Sequence, residues 1–231
     1  MRIVTWNCNG EFRHKFHLLE PLGADVIIIQ ECEEPTQSAA DYYAWAGHHL
    51  WTGANKTKGL GIFAKRGHSL DRLNWPDNGA ALFLPCRVNN EIEIIGVWTE
   101  LAKSAKESPA VQLYTYLSCN HLNFGEKTML VGDFKSNSRF NSTSEQQLYA
   151  FFVENLKKLG ISSLQNYLDG GLQASDTTSS SNMQRMQLKP FHQDYAFAHA
   201  DLVLDRGNTY WVGDSELWLK HSNQVPKAFK I

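Results

Sequence analysis

Three short apolar runs of the sequence each end on a side chain with an amide or carboxylate oxygen. The side chains are Asn7, Glu31 and Asp133. Mg²⁺ prefers oxygen ligands, keeps several of its water molecules and is commonly held by one or two carboxylates. If the three runs are strands that end at one edge of the fold, their last side chains form a site for a hard cation.

Two of these residues have more than one interpretation. Glu31 is either a metal ligand or an exposed acid at the end of a strand. The interpretation as a metal ligand is favoured, because Glu33 and Glu34 can serve as the exposed acids after the strand. Asn7 offers a neutral oxygen to a metal or a phosphate, or its amide stabilises the turn into Gly10. Both interpretations of Asn7 are open from the sequence alone.

The elements that must position these residues are mainly strands. Short apolar runs, alternating or continuous, predict strands near residues 2–7, 24–30, 59–64, 80–88, 91–99, 127–133, 192–198 and 225–230. Helical spacing predicts helices directly after Gly10, over 109–122, and from a capping box of Ser144 and Gln147 to a stop at Gly160. Strands and helices interleave, which predicts an α/β sandwich of two packed sheets with helices outside, as one domain over residues 1–231.

Composition limits the classes of function. The formal net charge is only -2, so no global basic field indicates nucleic acid, and any such binding needs a local patch. The most concentrated cationic region contains Lys56, Lys58, Lys65 and Arg66. It is interpreted either as solvated loop charge or as a small contact for phosphate or nucleic acid beside two tryptophans.

The sequence also gives an expectation for the compartment. No apolar stretch reaches the roughly twenty residues that span a bilayer, and the chain enters a strand without the apolar segment of a signal peptide. We therefore expect a cytoplasmic protein with no membrane partner. The 4 cysteines have no CxxC spacing, which is typical of buried thiols in a reducing compartment. Cys8 and Cys32 directly follow Asn7 and Glu31, so strand alternation directs them to the opposite face for core packing.

Five segments resemble, in order, the motifs of the endonuclease/exonuclease/phosphatase superfamily, the fold of exonuclease III and pancreatic deoxyribonuclease. The family pattern reads WN-x-[ND]-G, QE, GDFN, H-x-DY and SDH. The matching segments are Trp6–Gly10, Gln30–Glu31, Gly132–Lys135, His192–Tyr195 and Ser222–Gln224. The last segment departs from the pattern, so the chain resembles a bacterial-type member with an altered C-terminal motif. The resemblance runs through nearly the whole chain and implies a four-layer sandwich of two packed mixed β-sheets flanked by helices.

The resemblance also implies a metal-dependent phosphodiesterase site. In that site Glu31 and Asn7 bind Mg²⁺ or Mn²⁺, and Asp133 orients the attacking water or contacts the metal. Asp194 orients the histidine of the SDH motif, and His192 matches a further position of the site. The resemblance therefore makes Asp133, His192 and Asp194 the candidate catalytic residues.

Lys135 stands where the family has asparagine. An ammonium about 5 Å from Mg²⁺ repels it by roughly 6 to 7 kcal/mol at an effective dielectric constant near 20, before screening. A metal ion and an inward Lys135 therefore compete. Either Lys135 turns to solvent, or it takes the place of the cation and pairs with Glu31, Asp133 or a phosphate.

Asn223 and Gln224 stand where the family has the Asp-His pair. Neither side chain titrates near neutral pH, and Gln224 can donate a hydrogen bond but cannot shuttle a proton. Loss of acid-base help typically costs about 10² to 10⁴ in rate. The three departures remove negative charge and a base and add a cation, which suits a pocket for anions. Asn7, Lys135, Asn223 and Gln224 are thus the candidate substrate-binding residues.

Three further features each have two interpretations. Trp98 lines the pocket or is an ordinary core aromatic. Residues 169–187, rich in Gly, Ser, Thr, Asp and Gln, gate the site or form a solvated connector. His199 and His221 replace the missing histidine or, as we expect, are surface or half-buried side chains without that role.

Two functions follow from these observations. The first is a phosphodiesterase-like fold that binds a phosphorylated ligand, nucleic acid or a protein partner without efficient hydrolysis, and it needs no cofactor. The second is an active phosphodiesterase or nuclease that depends on Mg²⁺ or Mn²⁺ and uses the retained residues. The fold does not select among nucleases, lipid and sugar phosphatases and nucleotide hydrolases, so the substrate class stays open.

Overall fold

A computed structural model describes residues 1–80, 82–99, 108–135, 143–164, 194–203 and 210–231. The strands are β1 (Arg2–Asn7), β2 (Val26–Cys32), β3 (His49–Asn55), β4 (Lys58–Ala64), β5 (Leu70–Arg72), β6 (Phe83–Val88), β7 (Ile92–Trp98), β8 (Thr128–Asp133), β9 (Ile161–Ser163), β10 (Asp194–His199), β11 (Tyr210–Val212) and β12 (Lys227–Lys230). The α-helices are α1 (Ala40–Ala46), α2 (Pro109–Asn120), α3 (Thr143–Lys158), α4 (Ala200–Val203) and α5 (Ser215–Trp218). Single 3-10 segments lie at Phe12–His14, Phe16–Leu22 and Pro35–Gln37.

Within these ranges the strands form two sheets of 6 strands each. The first sheet has the order β11-β12-β1-β2-β4-β3, and the second has the order β5-β6-β7-β8-β10-β9. Each sheet is mixed, because β1 and β2 run parallel, as do β7 and β8, whereas the other paired strands are antiparallel. The expected α/β sandwich of two mixed sheets is confirmed.

The two faces of each central strand pack into different layers of the core. In β8, Met129 and Val131 lie in the cluster between the two sheets, and Leu130 lies in the cluster under α2 and α3. In β1, Ile3 faces the other sheet, and Val4 packs into the outer cluster of the first sheet. Strands buried on both faces read as continuous apolar runs, which is why β2 carries the sequence VIII.

The three helical segments that the sequence predicted lie close to their predicted positions but differ in detail. The segment after Gly10 forms 3-10 turns rather than an α-helix, and Pro21, which has no backbone N–H, lies within the second turn. α2 begins at Pro109 after Ser108, whose side chain accepts a hydrogen bond from the Val111 N–H. α3 begins at Thr143, so its N-terminus lies before the predicted cap, Ser144.

Some predictions fall on other parts of the chain. Residues 169–187 and His192 lie outside the described residues. The strand predicted over 192–198 is observed as β10 from Asp194 onward. No helix within the ranges given above is long and apolar enough to cross a membrane.

Candidate functional site

The three residues that the sequence proposed for a shared site meet where the two sheets face each other. Asn7 ends β1 in the first sheet and Asp133 ends β8 in the second. The Asn7 Nδ2 donates to Glu31 Oε1 at 3.0 Å and to Asp133 Oδ2 at 2.8 Å. All three residues are buried. A single amide therefore joins two carboxylates that come from different sheets.

Glu31 reaches this position because β2 contains a bulge. The register between β2 and β4 shifts between Gln30 and Cys32, and Glu31 has a φ of 66°. Gln30 lies on the inter-sheet side, where its amide donates to Thr5, whereas Cys32 packs into the outer cluster. Regular alternation from Gln30 would point Glu31 into that outer cluster. The extra residue lets its carboxylate project from the strand toward Asn7 instead.

Asp133 is positioned by the glycine that precedes it. Gly132 has a φ of 152°, and a Cβ added there would lie 1.9 Å from the carbonyl oxygen of Val97 on the parallel neighbour β7. No side chain fits between the two backbones at this point. The glycine of the GDF segment is therefore required by the close approach of β7 to β8.

We expect Gly132→Ala to destabilise the fold by about 3 kcal/mol, because it adds a clash with backbone and a strained φ. Urea unfolding followed by tryptophan fluorescence measures this loss. Gly125→Ala is the matched control, since a Cβ at Gly125 meets nothing within 4 Å. Equal unfolding midpoints for the two variants would contradict the packing argument.

Lys135 points inward, which is one of the two orientations that the sequence left open. Its Nζ lies 3.9 Å from Glu31 Oε1 and 3.8 Å from Asp133 Oδ2, and its side chain is only 12% exposed. The residue has a left-handed φ of 45°, and its backbone N–H donates to Asp133 Oδ1 at 3.2 Å. Within the described part of the chain, the Lys135 ammonium makes no direct hydrogen bond.

Lys58 belongs to the cationic region noted in the sequence, but the sequence did not place it beside Glu31. It begins β4 and places its Nζ 2.9 Å from Glu31 Oε2. The Lys58 and Lys135 ammonium groups each lie 5.6 Å from the centroid of the Trp98 ring. Trp98 belongs to the inter-sheet core and is 2% exposed, so it lies beneath the two cations as a buried wall. No spacing in the sequence relates Lys58 to Glu31, because their proximity depends on the pairing of β2 with β4.

The C-terminal candidates are separated by the structure. Gln224 is buried, its Nε2 donates to Asp133 Oδ2 at 3.4 Å, and its backbone oxygen accepts from Trp6 Nε1 at 3.0 Å. Asn223 is exposed, and its side-chain oxygen accepts a hydrogen bond from Ser222 Oγ at 3.5 Å. Ser222 Oγ also donates to the Asn7 carbonyl at 2.7 Å, which attaches this segment to β1.

The candidate histidines and Asp194 take different positions. Asp194 is paired with Asp133 in the β10–β8 register, so its backbone lies beside the site. His199 lies at the opposite end of β10, where its Nδ1 accepts from the Asp201 N–H at 3.3 Å. His221 is half-buried, and no side-chain partner is found for it among the described residues. His192 stays a prediction from the sequence.

The electrostatic environment of the site combines burial with compensating charge. Burial raises the pKa of the Asp133 carboxyl, and the Lys135 ammonium together with the amides of Asn7 and Gln224 partly offsets this effect. Glu31 is paired with Lys58 at hydrogen-bond distance. Two carboxylates and two ammonium groups therefore share one small region.

As they are arranged, the described side chains in this region do not fit a divalent cation. Asn7 presents its N–H groups to both carboxylates, and the Lys135 ammonium lies within 4 Å of the same two groups. Within the described ranges, no three His, Cys, Asp or Glu side chains are grouped closely enough to hold a metal without further ligands. Amide and ammonium donors instead suit an oxyanion.

Comparison with known proteins identifies the fold. No family model and no curated protein matches the chain. An AP endonuclease from Archaeoglobus fulgidus has a TM-score of 0.68 at 15% identity and covers 100% of this chain and 99% of its own. The 3′ phosphatase NExo from Neisseria, bound to a product DNA hairpin, has a TM-score of 0.66 at 17% identity, with coverages of 100% and 99%. The human nocturnin catalytic domain, with a bound sulfate anion, has a TM-score of 0.59 at 11% identity, with coverages of 99% and 92%. The resemblance seen in the sequence is thus confirmed at the level of architecture, and the chain has the fold of the endonuclease/exonuclease/phosphatase superfamily.

Proposed function

We propose that this protein binds the phosphoryl group of a phosphate ester or nucleic acid without a divalent cation and does not hydrolyse it efficiently. The observation that carries the proposal is the position of Lys135. Its ammonium lies 3.9 Å from Glu31 and 3.8 Å from Asp133, where it neutralises the two carboxylates that a metal site would use. A divalent ion would have to approach a fixed positive charge in a buried place.

The residues around Asp133 support binding rather than proton transfer. Gln224 contacts Asp133 through an amide N–H, and an amide cannot accept a proton near neutral pH. General acid-base help contributes about 10² to 10⁴ to the rate of such reactions, so its loss reduces turnover strongly. The amide can still hold an oxyanion or fix the orientation of Asp133.

Two structural neighbours support phosphoryl as the ligand chemistry. Nocturnin was solved with a sulfate anion, and NExo was solved with a DNA product. In this chain, Lys135 adds an ammonium donor, and Asn223 and Gln224 put amides where the family has an Asp-His pair. Ammonium groups bind phosphate oxygens through charge-assisted hydrogen bonds, and amide N–H groups also donate to them. Because the formal net charge is only -2, any contact with nucleic acid depends on a local anion-binding site and not on a global basic field.

The wild-type protein is expected to cleave no more phosphodiester than its Glu31→Ala variant in Mg²⁺ or Mn²⁺. The reason is that Glu31 is held by Lys58 and Asn7 and so does not act as a metal ligand. Cleavage of end-labelled single-stranded and duplex oligonucleotides, measured over hours at high enzyme concentration, tests this expectation. Metal-dependent turnover that disappears in Glu31→Ala would refute the proposal.

A metal-dependent phosphodiesterase or nuclease is the second candidate. The observation in its favour is that Asn7, Glu31 and Asp133 converge as the family pattern implies. It requires Lys135 to leave its present position, and the absence of a direct hydrogen bond to its ammonium among the described residues lowers the cost of that movement. The cleavage experiment above separates this candidate from the first.

A further inference from the structure

We propose that Lys58 and Lys135 form one anion receptor, in which the two ammonium groups together hold one phosphoryl group above Trp98. This inference rests on the proposed function and adds a residue from a different part of the fold. Two ammonium groups carry the same charge as one divalent cation. The pair therefore replaces the charge of a metal while offering N–H donors in place of coordination bonds.

Both ammonium groups have donors to spare. Lys58 contacts Glu31 Oε2 at 2.9 Å, and each ammonium has three N–H donors. Lys135 lies 3.8 to 3.9 Å from its two carboxylates, which is longer than a hydrogen bond. An incoming oxyanion can accept from both lysines without breaking a hydrogen bond between the Lys135 ammonium and any described residue.

Lys58 is more exposed to solvent than Lys135, which indicates the side from which a ligand enters the site. The Lys58 side chain is 49% exposed, whereas the Lys135 side chain is 12% exposed. A ligand therefore meets Lys58 first and Lys135 at the inner end of the site. Trp98 is too deeply buried to stack on a base, so the anion rather than a ring is the group that the pair recognises.

The position of Lys58 is fixed by a short hairpin. Asn55 and Lys58 are paired between β3 and β4, and the Asn55 side-chain oxygen accepts from the Thr57 N–H at 3.1 Å. Lys56 lies in the same turn, but its ammonium pairs with Glu34 instead of Glu31. The hairpin therefore contains one lysine that faces the site and one that does not, which supplies a matched control.

Glu31 has the opposite role in this receptor from the role it has in a metal site. The Glu31 carboxylate forms an ion pair with the Lys58 ammonium, so it competes with the ligand for that ammonium. Glu31→Gln removes a negative charge next to the anion and is expected to tighten phosphate binding about three- to tenfold. A site that used Glu31 to hold a metal-bound phosphate would lose affinity in the same variant.

The test is equilibrium binding in EDTA with three probes: inorganic phosphate, a single-stranded oligonucleotide without a terminal phosphate, and the same oligonucleotide with a 5′-phosphate. Lys58→Gln and Lys135→Gln are each expected to weaken binding about tenfold. Lys56→Gln is expected to stay within about twofold, because an exposed pair outside the site contributes little. Preference for the third probe over the second assigns the site to a terminal phosphate, and equal binding assigns it to the internal diester.

Different outcomes overturn different statements. If Lys58→Gln binds as tightly as Lys56→Gln while Lys135→Gln is weakened, or if Glu31→Gln weakens binding, the two-lysine receptor is wrong and a metal-free anion site can still stand. If the wild-type protein binds none of the probes, the receptor and the proposed function are both wrong. Since Lys58 and Lys56 are both partly exposed in one hairpin, loss of folding does not obscure the comparison.

Discussion

Replacing both lysines by neutral residues, Lys58→Gln with Lys135→Asn, is expected to raise the affinity of the protein for Mn²⁺ at least about a hundredfold. At about 5 Å and an effective dielectric constant near 20, each ammonium repels a divalent ion by roughly 6 to 7 kcal/mol before screening. Solvent screening and side-chain movement reduce this repulsion. If about 3 kcal/mol of repulsion remains in total, its removal raises the affinity roughly a hundredfold. Isothermal titration calorimetry with Mn²⁺ measures the gain.

The single variants show which lysine excludes the ion. Lys135→Asn restores the family residue and removes the more deeply buried charge, so it is expected to give the larger part of the gain. Lys58→Gln alone leaves Lys135 between the two carboxylates and is expected to give little. Lys56→Gln, whose ammonium pairs with Glu34, serves as the control. An unchanged Mn²⁺ affinity in the double variant would mean that charge repulsion is not what keeps metal from these residues.

The central strands could be predicted from the sequence, and the edge strands could not. β3, β5, β9 and β11 were missed, and these four are the outer strands of the two sheets. A strand with neighbours and core on both sides, such as β2, has a continuous apolar run. An edge strand is paired on one side only and carries a weaker pattern, as in β3 with its half-buried sequence HLWTGAN.

The meeting of Asn7, Glu31 and Asp133 could be predicted because each residue follows a buried strand at the same end of the fold. The direction of the Glu31 side chain could not be predicted, because it depends on a β-bulge for which the sequence has no recognisable pattern. The contact between Lys58 and Glu31 could not be predicted either, since the two residues approach each other only through the pairing of β2 with β4. The family resemblance also implied that Asn223 and Gln224 lie in the site together, but Asn223 is exposed, and of the two only Gln224 contacts Asp133.

Cys8 and Cys32 were predicted to face away from the site, and both pack in the outer core. Strand alternation explains Cys8, whereas Cys32 takes this face because the bulge shifts the pattern by one residue. Burial raises the pKa of the Cys32 thiol to about 12, and the pKa of the Cys8 thiol is also raised for the same reason. Neither thiol is therefore a reactive thiolate at neutral pH.

Lys135 also supports the fold by neutralising Asp133, and its removal is expected to make stability fall with rising pH. In Lys135→Met the Asp133 carboxyl keeps its burial but loses the nearest opposite charge, so its pKa in the folded state rises further above the unfolded value near 3.9. A group with a raised folded pKa contributes its full stability below the unfolded pKa. It loses that contribution as the pH rises through the folded pKa.

The variant is therefore expected to resemble the wild type near pH 4 and to lose about 3 kcal/mol by pH 8, as when one partner of a buried ion pair is removed. Urea unfolding at intervals of pH between these limits measures the difference. Lys58→Met is the control, because its ammonium is half exposed and its pair with Glu31 contributes at most about 1 kcal/mol. A loss of the same size at every pH would show that Lys135 stabilises the fold through the packing of its aliphatic stem, and a loss that grows with pH would assign the effect to its charge.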